Sequence, residues 1–248
     1  MAGEAAAPAA AAGPGQRRLF AATGSRVYGS GPGPVRAGLP GSVPAAQAAF
    51  SVTTASPLWA EVAGGILPAG RRRPRTRVAD LRWTTAPLTV WLALQLGERP
   101  EERACGCRAW HPVTGITWQQ AARLAALLDG RLPTSAEWEW MAGGGSRRYP
   151  WGDDAPRGGT ASPQANLRGI GPDQATAVGE FPDGATPDGL LDVAGNVWEW
   201  TSTPVPGGRV VRGGSYRALS LYARCDYANE VPPGIASPGI GVRVVRES

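Results

Sequence analysis

The sequence predicts an α+β domain with few helices, short strands and much irregular loop. Three observations predict it. Helix signals are confined to residues 85–145, where two capping boxes precede apolar residues at helical spacing. Strand-like apolar runs are short, as in Arg209-Val-Val-Arg212 and Ile240-Gly-Val-Arg-Val-Val245. The 248 residues include 35 Gly and 24 Pro, and beyond residue 145 these punctuate the chain into turns. At 42% hydrophobic residues, with ten Trp, there is material for a sizeable core.

The elements follow in order. Residues 1–50 hold 15 Ala, 9 Gly and 6 Pro and read as a disordered leader, with too few large side chains to offset the entropy of ordering. A start codon placed too early would look the same. The folded domain is expected over residues 57–248, with a first strand in Trp59-Ala-Glu-Val-Ala-Gly-Gly65. Thr85 to Gly97 reads as helix one, with Thr85 as N-cap, Pro87 tolerated in the first turn and Gly97 as the stop. Helix two begins at the capping box Thr117-Trp-Gln-Gln120 and continues with Ala121, Leu124, Ala125 and Leu128 on one face. Gly130 is expected to take the left-handed conformation after it. A third helix starts at the second box, Thr134-Ser-Ala-Glu137, carries Trp138, Trp140 and Met141, and ends in Gly143-Gly-Gly145.

Charge excludes some functions. The net charge is +5, but residues 1–50 carry +3 of it, so the rest is close to neutral and does not read as a nucleic-acid surface. Arg71, Arg72, Arg73, Arg75 and Arg77 cluster either as a solvated loop or as a patch for an acidic partner. No apolar run reaches membrane-spanning length, and the N-terminus lacks the features of a signal peptide. Three Cys make no disulfide framework: Cys105 and Cys107 are too close to bridge easily and Cys225 has no evident mate. A reduced, cytoplasmic location is therefore expected.

Four motifs in fixed order carry a more specific signal. They are Gly130-Arg-Leu-Pro-Thr-Ser-Ala-Glu-Trp-Glu-Trp140, Tyr149-Pro-Trp-Gly152, Gly195-Asn-Val-Trp-Glu-Trp200 and Arg212-Gly-Gly-Ser-Tyr216, followed by Gly239-Ile-Gly-Val-Arg-Val-Val245. The series resembles the formylglycine-generating enzyme family, the sulfatase-modifying-factor domains, whose fold is a variant of the C-type lectin fold. The resemblance covers roughly residues 57 to 248. A fold hosts many functions, so the site must be argued separately.

The resemblance implies structural calcium. The family's first cage matches Asp192, Gly195, Val197 and Glu199, two side chains and two carbonyls that suit a hard cation. Its second cage matches Asn166, Leu167, Asp173 and the carbonyl of Ala175. The alternative is that Asp192 and Asp173 cap turns while Glu199 pairs with an Arg.

The family's catalytic chemistry is another matter. Its oxidase holds copper(I) between two Cys thiolates just after the Arg-Gly-Gly-Ser motif, and soft thiolates select that ion. The matching positions here are Ala218 and Ala223, and Cys225 would stand alone. A related branch uses several His ligands for iron, whereas this chain has a single His, His111, which reads as a surface or structural residue. Neither copper nor iron is expected, and no catalytic residue is assigned.

Other members resembling this chain are the variable proteins of diversity-generating retroelements, whose varied positions lie between Arg-Gly-Gly-Ser and the closing strand. Ser220, Ala223-Arg224-Cys225-Asp226 and Pro232 fall at the spacing of their fixed frame, and Gly241-Val-Arg243 closes it. Between them stand Tyr216, Arg217, Ala218, Leu219, Leu221, Tyr222, Tyr227 and Asn229. Tyr and Arg recur as binding hot spots. The expectation is a non-catalytic module that presents residues 216–231 to a protein or small-molecule ligand, with no role for nucleic acid or membrane. The alternatives are an oxidoreductase acting through an unrecognised site, or a purely structural loop.

Overall fold

A computed structural model describes residues 58–70, 73–99, 108–159 and 162–248. The Ala/Gly/Pro leader, Arg71, Arg72, Cys105 and Cys107 lie outside the described residues, as does the domain boundary expected at residue 57.

The described chain is built from three helices and nine short strands. Strand β1 (Trp59–Val62) pairs antiparallel with β4 (Leu81–Thr84), and β9 (Val245–Glu247) joins the other edge of β4. Between β1 and β4 a small hairpin forms from β2 (Gly65–Leu67) and β3 (Thr76–Val78). The helices α1 (Val90–Gln95), α2 (Trp118–Ala126) and α3 (Ser135–Gly143) follow. A long irregular stretch then leads to β5 (Trp198–Val205), β6 (Gly208–Arg212), β7 (Asn229–Val231) and β8 (Ile240–Gly241). These last four make one sheet in the order β7-β6-β5-β8, with β8 parallel to β5.

The two capping boxes form as the sequence dictates. The Thr117 hydroxyl accepts from the Gln120 amide while Gln120 Oε1 accepts from the Thr117 amide, and Thr134 and Glu137 repeat the arrangement. Each box satisfies donors that the first turn of a helix leaves open. Ala121, Leu124 and Ala125 of α2 are buried against Trp200, Val211 and Val242, with Leu128 just beyond the helix. Burying a Leu this way contributes about 1.5–3 kcal/mol.

Helix one starts later than the sequence suggested. Its N-cap is Thr89, not Thr85, and it begins at Val90. Residues 85–88 are not helical because their backbone is used elsewhere: Thr85 donates to Leu58, and Leu88 donates to Val242 and accepts from Val113. Pro87 also disfavours a helical Ala86 before it.

Gly130 corrects a second expectation. The left-handed residue after α2 is Asp129, with φ 53°. Gly130 is instead a point of close approach, where a Cβ would lie 2.6 Å from Val244 Cγ1 and 2.7 Å from the Val245 carbonyl. The run 240–245 is likewise not one strand: β8 stops at Gly241, and the Val242 and Val244 carbonyls accept from Leu88 and Thr84 before β9 begins.

Candidate functional site

The motifs converge because their polar residues hold one another. Glu199 and Arg243 are both fully buried, and Arg243 Nε and Nη2 donate to Glu199 Oε1 at 3.0 and 2.9 Å. Trp138 Nε1 donates to Glu199 Oε2 at 2.6 Å. The rest of the Arg243 guanidinium donates to the carbonyls of Thr84 and Leu191. One ion pair thus joins α3, β4, β5 and the closing segment. A charge this deep is tolerated only when paired and fully hydrogen-bonded.

A second pair ties α3 to the Arg-Gly-Gly-Ser turn. Arg212 Nη2 donates to Glu139 Oε2 at 2.9 Å, and Arg212 Nη1 donates to the carbonyls of Cys225 and Tyr227. Arg73 grips the other oxygen of Glu139 at 2.7 Å, so this member of the Arg cluster is structural rather than solvated.

Asn196, at φ 57°, organises the loop that faces this turn. Its Oδ1 accepts from Thr176 and Asn166, and its carbonyl accepts from Tyr216. Gly195 beside it has φ 81°, and a Cβ there would lie 2.4 Å from the Asn166 carbonyl, so no larger residue fits.

The residues expected to form the two calcium cages stand differently in the structure, and among the described residues no three His, Cys, Asp or Glu side chains cluster as a metal site would require. In the second, Asn166 is buried and its Oδ1 has no hydrogen-bond partner, while Nδ2 donates to Gln174 and Asn196. A buried acceptor without a donor fits a cation. Asp173 is exposed nearby, and the Leu167 carbonyl already accepts from Ile170 and Gly171. His111 is buried rather than on the surface, hydrogen-bonds to the Ala175 carbonyl, and is held below the ordinary imidazole range by burial and by Arg108.

In the first cage, Asp192 is buried, takes φ 54° and accepts from the Gly179 amide. Burial chiefly raises its pKa to about 6, with the carboxylates of Glu199 and Glu180 adding to it. Both Glu199 oxygens are engaged by Arg243 and Trp138. Glu199 therefore pairs with an Arg, the alternative that the sequence left open, while the Gly179 amide and the Arg243 charge only partly offset the burial of Asp192.

The positions matching the copper ligands lie together. Ala218 and Ala223 are buried in one small cluster with Ala165, Leu167 and Ala194. Methyl groups cannot ligate, so the residues present do not fit copper(I). Cys225 is buried in the neighbouring core beside Trp138 and Met141, and burial pushes its thiol up to about 12, far from a reactive thiolate.

Around that alanine floor stand Trp151, Ile170, Trp198 and Tyr222, all half-buried. Tyr149 and Trp151 stack at 5.1 Å, and Tyr227 meets Tyr222 edge-on at 4.9 Å and Trp198 at 6.2 Å. Leu219 and Leu221 are 46% and 47% exposed on a 3-10 turn at Ser220–Ala223. Of the eight residues expected to face a ligand, Arg217, Leu219 and Leu221 are exposed, and Tyr222, Tyr227 and Asn229 are partly so. Tyr216 and Ala218 are buried, their amides tied to the Asn196 and Ser215 carbonyls, and Ala218 is part of the floor. Trp151 and Trp198 complete the surface. Sequence reasoning placed them in the motif frame, and only their half-burial marks them as part of the site.

Residues 61–248 match the family described as sulfatase-modifying factor enzyme 1-like domain. The chain is 34% identical over 160 residues to serine/threonine-protein kinase pkn1 of Chlamydia caviae, covering 56% of this chain and 24% of that protein. It is 42% identical over 105 residues to the formylglycine-generating enzyme of Mycobacterium tuberculosis, covering 39% of this chain and 34% of that one. The chain thus spans about a quarter to a third of these relatives' length. Among solved structures, Treponema denticola variable protein 1 superposes with a TM-score of 0.61 at 18% identity, covering 77% of this chain and 95% of that one, a likeness of fold.

Proposed function

We propose that this chain, which belongs to the sulfatase-modifying factor enzyme 1-like domain family, is a non-catalytic binding module that presents residues 216–231 to a ligand. One observation carries the reading. The place where the family holds copper is a floor of buried alanines, Ala218 and Ala223, ringed by half-buried aromatic residues and topped by exposed Leu219 and Leu221. Such a surface can bind through apolar contact and aromatic anchoring. Among the described residues the cluster itself holds no thiol or imidazole to act as a soft metal ligand. A recognition segment on a rigid scaffold is also where binding residues are commonly found.

Calcium belongs to the proposal in a structural role. Asn166 and Asp173, with the Leu167 and Ala175 carbonyls, would hold one ion, and Asp192, Gly195 and Val197 with Glu199 a second. The orphaned Asn166 Oδ1 supports the first of these and the burial of the Asp192 carboxylate supports the second, whereas the Arg243 pairing of Glu199 limits that residue's share. The ions would cross-link irregular loops and do no chemistry.

The test is copper loading with a Cys-containing sulfatase peptide as substrate. The expected result is no stoichiometric copper by elemental analysis and no aldehyde in the peptide. Stoichiometric copper together with aldehyde formation would overturn the reading.

A further inference from the structure

We propose that the partner of this surface is an acidic polypeptide segment whose apolar side chains alternate with carboxylates. This rests on the binding-module reading above and adds the class of ligand. The apolar half of the argument is the exposed pair Leu219 and Leu221, next in the chain to Ala218 and Tyr222, which belong to the same cluster as the half-buried Trp151 and Trp198. Apolar groups held in water on a fixed turn favour a partner that removes them from it.

The charged half is the state of the neighbouring arginines. The Arg168 amide donates to the Ala218 carbonyl at 3.1 Å, so Arg168 and Arg217 flank the same short stretch of backbone. Both are exposed, and Arg217 sits 5.3 Å over the Tyr216 ring. Neither is in an ion pair with any described carboxylate. By contrast, Arg224 is neutralised by Asp226 at 2.9 Å and Arg157 is paired with Asp154 at 3.5 Å. Two guanidiniums therefore remain for an incoming carboxylate, which they bind in a planar, two-pronged geometry.

A single-stranded nucleic acid would also bring negative charge, but this surface suits it less. The most exposed apolar groups are aliphatic, while the aromatic rings are half-buried and packed edge-on or stacked on each other. With Arg157 and Arg224 already paired to Asp154 and Asp226, Arg168 and Arg217 alone do not make the continuous basic groove that a phosphate backbone follows.

The experiment selects binders from a random peptide library on the full-length protein, with a single-stranded oligonucleotide as a separate probe. Enriched peptides should combine Asp or Glu with Leu, Phe or Trp. Their affinity should fall about tenfold, or about 1.4 kcal/mol, in an Arg168→Glu, Arg217→Glu double variant. Leu219→Ala with Leu221→Ala should weaken the same peptides, and added salt should weaken them in the unmodified protein. Peptides that depend on Leu219 and Leu221 but carry no acidic excess, or that ignore the Arg reversal, would overturn this proposal and leave the module reading intact. Binding of the oligonucleotide at this surface in place of peptides would overturn it too. If no selected peptide responds to any of these substitutions, the module reading fails and this proposal with it.

Discussion

The strand that holds Glu199 and the turn that carries Leu219 and Leu221 are some twenty residues apart on one domain, yet they obey opposite rules. Glu199 has no contact with water and depends on Arg243 and Trp138, partners 44 and 61 positions away. Leu219 and Leu221 are nearly half in water, at the start of and within the 3-10 turn Ser220–Ala223. In the first region each side chain is a support for others, so a change there propagates. In the second the backbone is held from beneath, by Arg212 on the Cys225 and Tyr227 carbonyls and by Asn196 on Tyr216, and the side chains above are free to differ. A scaffold that carries its display loop by main-chain contacts can change the loop's chemistry without changing its shape.

The contrast is sharpest in the buried ion pair. Arg243→Met should cost about 3–5 kcal/mol, because it leaves Glu199 charged and unpaired in the core. Urea unfolding measures it, and a loss below about 1 kcal/mol would mean the two regions do not differ in this way. Trp200→Ala should come next at roughly 3–5 kcal/mol, while Trp198→Ala, being half-buried, should cost clearly less. Equal losses at the two tryptophans would place Trp198 with the core rather than the surface.

Asp192 tests the frame by titration. Its folded pKa of about 6 lies above that of an unfolded Asp, so the folded state binds the proton more tightly. The stability this gives is present below about pH 4 and is lost as pH rises to about 6, on the order of 2–3 kcal/mol in the presence of a chelator. Asp192→Asn should remove that slope. Calcium should reverse it, since a bound cation stabilises the carboxylate, and should raise the melting temperature by several degrees. Identical melting curves with chelator and with calcium would refute both cages.

The smallest effect is expected on the display turn. Arg217→Ala, Leu219→Ala and Leu221→Ala together should leave the unfolding midpoint near that of the parent, each substitution staying within about 0.5 kcal/mol. Tyr222 is left out because its ring packs on Tyr227 and on the alanine floor. If the triple variant unfolds, the turn is core and the contrast collapses.

The sequence by itself determined what acts over a few residues. Both capping boxes were legible because Thr117 and Gln120, or Thr134 and Glu137, meet within one helical turn. That Ala218 and Ala223 carry no metal-binding group was legible too, since the chemistry of a side chain needs no fold to be read. The tertiary structure decided what depends on distant partners. It moved the start of α1 from Thr85 to Thr89, because Leu88 is bound to Val242. It gave Gly130 a packing role against Val244, and it chose Arg243 as the partner of Glu199 from among 25 arginines. It also buried Tyr216 and Ala218 and left Arg217 and Leu219 exposed. Alternation along that stretch hints at two faces, but which face is covered depends on Asn196 and Ser215 holding the backbone, and no local pattern encodes a hydrogen bond across twenty residues.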